Sequence, residues 1–168
     1  MSGKHFRLPD FFDPNMKTQF INLLRYNHWA NTLVLRSIST LPTPNLAANN
    51  LFAHILAAQQ IWLNRLRQEG PSVAVWPILP LKTLHTWMKI SHNDWEACLS
   101  FWGEEALNES ISYQTTWGES FLNPRAEIIT HVLNHGTHHR AQISAQIRAT
   151  GNTPPAIDYI VFLRSLAN

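Results

Sequence analysis

The chain has 168 residues, which at roughly 150 residues per domain is one domain spanning 1–168. Apolar residues make up 45% and charged residues only 14%, so the chain can build a core and falls outside the charged, disordered class. A net charge of +2 makes no electrostatic case for a nucleic-acid partner.

In chain order, Asp13-Pro14 reads as a cap followed by a proline in the first turn. Phe20, Leu23, Leu24, Leu33, Val34, Leu35 and Ile38 then recur at three- and four-residue spacings. That predicts an amphipathic helix over 14–39. Leu41-Pro42-Thr43-Pro44-Asn45 ends it and caps the next. The second helix is expected over 46–68, with Leu51, Phe52, Ile55, Leu56, Ile61, Trp62, Leu63 and Leu66 as its apolar set and Gly70-Pro71 as its stop. Pro71 to Pro80 reads as a loop. A third helix is expected over 81–102, carrying Leu84, Trp87, Met88, Trp95, Leu99 and Trp102. The next stretch has no helical period. Ile111-Ser112-Tyr113 alternates and Trp117-Gly118-Glu119-Ser120 is turn-like, which predicts a short hairpin or irregular excursion. Asn123-Pro124 repeats the cap signal, and a fourth helix follows over 124–149, ended by Gly151-Asn152. A short C-terminal helix is expected over 157–166, with Ile157, Ile160, Val161 and Leu163 inward. Four long amphipathic helices in one domain predict an all-α four-helix bundle.

Charge is uneven along the chain. Thr18 to Gln68 holds no acid but four arginines, Arg25, Arg36, Arg65 and Arg67. Glu69 to Glu119 holds seven acids against Lys82 and Lys89. The basic residues are scattered singly, as on solvated helix faces, and not clustered as phosphate readers are. Nothing approaches the roughly 20 apolar residues of a membrane helix, and the first residues lack a secretory apolar run. The single cysteine, Cys98, excludes an internal disulfide framework and a cysteine-rich zinc site. It reads as a small core residue beside Trp95 and Leu99. A soluble, cytoplasmic protein without nucleic-acid or membrane partners is the expectation.

The histidines are the anomaly: nine of them, against eleven acids. His131, His135, His138 and His139 fall within nine residues. At 3.6 residues per turn these four, with Gln142 and Ile128, share one helix face about 100° wide. Side chains four apart have Cβ atoms roughly 5–6 Å apart, close enough for two imidazoles to hold one divalent ion. The pair could be His131 with His135, His135 with His139, or His135 with His138; His135 is common to all. A third ligand must come from another helix. His54, flanked by Phe52, Ile55 and Leu56, is the best candidate. Alone it would read as a satisfied core histidine, and the cluster alone as a pH-sensitive surface stripe. His28, His85 and His92 read as surface or capping residues, and His5 lies in the terminus. Glu127, one turn before His131, is either an acceptor that orients an imidazole, a partner of Arg125, or simply solvated. Asn134 and Gln142 are alternative orienting partners.

Several segments together resemble the DinB/YfiT-like superfamily of metalloenzyme-like proteins. They are Arg25-Tyr26-Asn27-His28-Trp29-Ala30-Asn31, Leu51-Phe52-Ala53-His54-Ile55 with Trp62-Leu63, and Tyr113-Gln114-Thr115-Thr116-Trp117-Gly118-Glu119. The strongest match runs from His131 to Ile143, and Pro154-Pro155-Ala156-Ile157-Asp158-Tyr159 resembles the tail motif. The resemblance implies a four-helix bundle, often a homodimer, with one divalent ion held by three histidines. These map to His54, His135 and His139; His131 and His138 match positions that are not the usual ligands. Ala141 departs from the glycine often found in the family and suits a helix as well.

Three neutral nitrogen ligands leave a coordination position open, as in catalytic sites. Imidazole suits zinc, nickel, copper and iron; zinc or nickel is favoured here, with iron or manganese compatible. Better-understood relatives use low-molecular-weight thiols as transferases or isomerases. The resemblance therefore implies a metal-dependent enzyme, a thiol transferase or a hydrolase, acting on a small molecule. The alternatives are a stress- or damage-inducible metal-binding protein without turnover, and a structural ion whose shell His131 would close.

Overall fold

The structure is a computed structural model and describes residues 16–70 and 73–167. The capping pair Asp13-Pro14, His5 and the Pro71 end of the loop lie outside the described residues. Four long helices carry the fold: α1 (Met16–Ser39), α2 (Leu46–Arg67), α3 (Leu81–Phe101) and α5 (Arg125–Ala149). Between α3 and α5 stand a one-turn helix α4 (Glu104–Asn108) and a hairpin of β1 (Ser110–Gln114) and β2 (Ser120–Pro124); α6 (Tyr159–Ser165) closes the chain. Each of α1 and α2 packs on both α3 and α5, so α1 and α2, consecutive in sequence, face each other across the bundle.

The bundle core has two apolar halves. One gathers Phe20, Leu24, Leu63, Trp95, Leu99 and Ile128. The other gathers Val34, Leu35, Phe52, Ile55, Leu84 and Ile143. Full burial of such side chains stabilises by about 1.5–3 kcal/mol each. A layer of buried polar side chains lies among them, one or more from every long helix: Asn27 and Asn31, Gln59, Ser91, and Arg140. Arg140 Nη1 donates to Asn27 Oδ1 at 2.6 Å and Asn31 Oδ1 at 2.9 Å. Ser91 Oγ donates to Gln59 Oε1 at 2.9 Å. Burial of a guanidinium is tolerable only with such partners. The Tyr26–Asn31 segment singled out in the sequence thus anchors α1 to α5.

Helix ends follow the sequence in part. Asn45 caps α2, its Oδ1 accepting from Ala48 N at 3.0 Å. Gly70 does not stop α2. The chain leaves the helix two residues earlier, at Gln68, whose backbone is left-handed at φ 58° and ψ 33°. Its Nε2 donates to Arg65 O at 2.9 Å and Ser112 O at 3.1 Å, which offsets the strain of that conformation in a residue with a Cβ. Asn123 is not a cap either. It lies in β2 opposite Ile111, and its amide is engaged by Tyr113 and Glu127. Pro124 holds the N-cap position of α5 with no side-chain cap.

The hairpin expected around Trp117-Gly118 is present, with Tyr113 opposite Phe121 and Gly118 at φ 85° in the turn. Helix α4, too short to show a period, was not legible. Arg125 holds it, donating to the Ala106 carbonyl and to Glu109 Oε2 while its guanidinium lies 4.7 Å from the Trp102 ring. Helix α6 is shorter than expected and turns Phe162 inward, against Tyr26 and Trp29. Ile160 and Leu163 are exposed instead, because a two-turn helix offers the core little more than one large residue. No helix among the described residues is long and apolar enough to cross a membrane.

Candidate metal centre

Helices α2 and α5 pack closely and bring His54 against His135 and His139. His54 and His139 are buried and His135 is half-buried. His54 Nε2 and His139 Nε2 each lie 3.2 Å from His135 Nε2, and one ligand atom from each of the three rings fits within 4.8 Å of the others.

The outer nitrogens define what these three atoms are. His54 Nδ1 lies 2.8 Å from the Val75 carbonyl, which can only accept, so Nδ1 carries the proton. His139 Nδ1 likewise donates to Gln142 Oε1 at 2.7 Å. The Nε2 atoms of His54 and His139 are therefore bare lone pairs, both aimed at His135. A single proton on His135 Nε2 can satisfy one of them, never both. Neutral histidines held by their Nδ1–H in this way are the usual form of metal ligands. Two nitrogens bound tetrahedrally at about 2.0–2.1 Å stand about 3.3 Å apart, close to the separation seen here. The donor set fits a divalent ion.

Burial first, then the neighbouring imidazoles of His139 and His54, push the His135 pKa down to about 4. His139 is lowered too, chiefly by burial. At neutral pH His135 and His139 are thus uncharged, and each keeps a lone pair that an ion could use.

The remaining histidines of the cluster stand aside. His138 is exposed, and its Nε2 accepts from Gln142 Nε2 at 3.1 Å. Gln142 so links His138 to His139, one of the orienting roles weighed from sequence. His131 sits edge-on against Trp62, ring centroids 5.0 Å apart, and is no member of the three-nitrogen group. Its pKa is lowered by desolvation of the ring and then by the Arg65 charge. Glu127 is exposed and bonded by Asn123; Arg125 pairs with Glu109 instead. Asn134 lines a separate cleft with Tyr26 and Asn27. Cys98 is a core residue whose sulfur accepts from Arg67 Nε at 3.1 Å.

The surface reading of His28 and His92 needs correction. Their rings stack at 3.9 Å and 13° between α1 and α3, with both Nδ1 atoms buried and unbonded among the described residues. They face each other across a helix pair whose contact no single-helix spacing reveals. His85 is exposed, beside Ser39 Oγ.

Sequence reasoning also missed the wall of the site. Trp76 stacks on His54 at 3.7 Å and 6°, and Val75 orients the same ring, both from an irregular stretch with no period to read. A cleft of about 410 Å³ opens beside His54 and His135, bordered by Trp62, Arg65, Tyr113 and Phe121. A larger one of about 630 Å³ adjoins it. Ile61, Arg65, Tyr113, Thr115 and Thr116 border both, so the two are lobes of one groove.

Comparison with known proteins agrees with this architecture. A DinB-like protein from Bacillus cereus, known by crystal structure, superposes with a TM-score of 0.60 over 86% of this chain and 96% of its own, at 17% identity. At that identity the likeness concerns the fold. Protein DinB of Bacillus subtilis (strain 168) is 33% identical over 60 residues, 36% of this chain, and the match spans about a third (35%) of the relative's length. The sequence pattern of the DinB family matches residues 15–167. The chain belongs to the DinB family.

Proposed function

We propose that the chain binds one divalent metal ion through His54, His135 and His139 and uses it in thiol-dependent transfer chemistry on a small molecule. The observation that carries this reading is the convergence of three Nε2 atoms, two of them bare by virtue of their Nδ1 partners. Zinc or nickel suits such a donor set best. When bound, the ion would lower the pKa of a small thiol, so that its proton goes to solvent and its sulfur displaces a leaving group from an electrophile.

The protein's own residues supply orientation and access. Val75 and Gln142 hold two rings in the ligating tautomer. No fourth side chain joins the three-nitrogen group among the described residues, and the groove reaches His54 and His135. Those features favour an open, reactive position over the structural ion that His131 would have closed. The reading takes the working form to be a cytoplasmic homodimer.

Metal content decides it. Protein purified without chelator or nickel resin should carry about one ion per chain. His54→Ala and His135→Ala should each carry none, with helical content unchanged. Wild type that stays empty after reconstitution with zinc and nickel would overturn the reading. Full occupancy in both variants would do so equally.

A further inference from the structure

We propose that Arg65 forms an oxyanion subsite in the groove beside the three histidines, so that the small molecule taken there carries a carboxylate or phosphate. This deepens the metal-site reading and rests on it only for what happens at the other end of the ligand.

Arg65 is partly buried on α2, three turns from His54. Its guanidinium lies 4.4 Å from the Trp62 ring and 5.4 Å from the Tyr113 ring. Cation–π contact holds the planar group and leaves its N–H edge free. That edge has no hydrogen-bond or ion-pair partner among the described residues. The ion pairs among the described residues are His92–Glu96 and Arg125–Glu109. The other arginines turned inward are engaged: Arg67 with Cys98 and Asp94, Arg125 with Ala106 and Glu109, Arg140 with three side chains. Burial lowers the Arg65 pKa, though far from neutralising it.

Placement gives the idle charge its direction. Arg65 borders both lobes of the groove, the inner lobe also bordered by His54 and His135. Aromatic contacts run back from it through Trp62 to His131 and His135. Thr115 and Thr116 line the same junction. The one carboxylate of the lining, Glu69, is exposed and lies in the outer lobe. A partly desolvated fork of N–H donors with no acceptor among the described residues matches a planar carboxylate or a phosphate from outside. An anion seated there would direct the rest of its molecule along the groove toward the histidines.

The test is calorimetric titration of the full chain with succinate, methyl phosphate and the neutral control succinamide. It is run on metal-free and zinc-loaded protein, for wild type, Arg65→Gln and Arg65→Lys. Metal-free wild type should bind at least one of the two anions and prefer it to succinamide. Arg65→Gln should weaken that binding about tenfold or more. Arg65→Lys should keep part of it, since the charge remains while the fork is lost. Equal anion affinity in wild type and Arg65→Gln would overturn the subsite, as would no preference over succinamide. Failure of zinc to bind the wild type would overturn the metal reading alone, because the anion titrations need no metal.

Discussion

Among single residues, the division of labour within the histidine cluster is the sharpest feature. His138 and His139 are adjacent, yet one is exposed and the other buried. His138→Ala should therefore leave metal occupancy intact. Gln142→Ala removes the acceptor that sets the His139 tautomer, and loss of such a partner weakens metal affinity about 10–100-fold. Zinc titration against a competing chelator separates the two variants; equal weakening by both would mean that His138 shapes the site as much as Gln142 does. His28 and His92 yield a second prediction, on stability. Burial lowers both pKa values below 6.5; for His28 the His92 charge adds to this, and Glu96 opposes it for both. Arg25 also lowers His92. A histidine whose folded pKa lies below its unfolded value stabilises fully above the unfolded pKa. That stability is lost as pH falls below about 6.5, because the unfolded chain then binds more protons. Urea midpoints of the metal-free protein should fall over that window. His28→Phe and His92→Phe should flatten the decline, and slopes identical to wild type would contradict the assignment.

Helix–helix contact depends on one glycine. A Cβ at Gly136 of α5 would lie 3.0 Å from both Arg140 Nη1 and Asn27 Oδ1. A free arginine tip could move aside. This one is bonded to Asn27, Asn31 and Thr137 and almost fully buried. Alanine there gains about 1 kcal/mol in helix propensity but must spread α1 from α5 or break that network, which costs about 2–4 kcal/mol. Gly136→Ala should destabilise the fold by about 1–3 kcal/mol in denaturant melts; a stabilised variant would show that the arginine gives way freely. Gly136 sits next to His135, so the same close approach helps fix where that histidine emerges. The element scale also shows where helix boundaries escape sequence rules. Gln68 ends α2 because Ser112, distant in sequence, holds its side chain. Asn123 is unavailable as a cap because pairing with β1 has already placed it.

For the whole molecule, an ion at His54, His135 and His139 would staple α2 to α5. Ligand binding to the folded state alone stabilises by about 4 kcal/mol at a thousandfold excess over Kd. For a chain of this size each kcal/mol raises Tm by roughly 2–4 °C. Saturating zinc should therefore raise Tm by about 10 °C in wild type and leave His54→Ala unmoved. An equal rise in both would place the stabilising ion elsewhere.

Much of this was written in local pattern. The four long helices follow from apolar periodicity, because a stripe of Val34, Leu35, Ile38 or of Phe52, Ile55, Leu56 has to be buried somewhere and only a helix aligns it. The turn at Gly118 follows from local chemistry, and so does the cap at Asn45. The one-face grouping of His131, His135, His138 and His139 is likewise arithmetic of the helix. Which of them meet His54 is not, since that depends on how α5 is rotated against α2. Resemblance to a family, rather than spacing, singled out His135 and His139 beforehand. Tertiary structure alone pairs His28 with His92, lays Trp76 on His54, and leaves Arg65 without a hydrogen-bond partner among the described residues in a groove between α2 and the hairpin. Each of these joins residues on different elements, and a side chain's neighbours across an interface are set by the packing of whole helices, which no local period encodes.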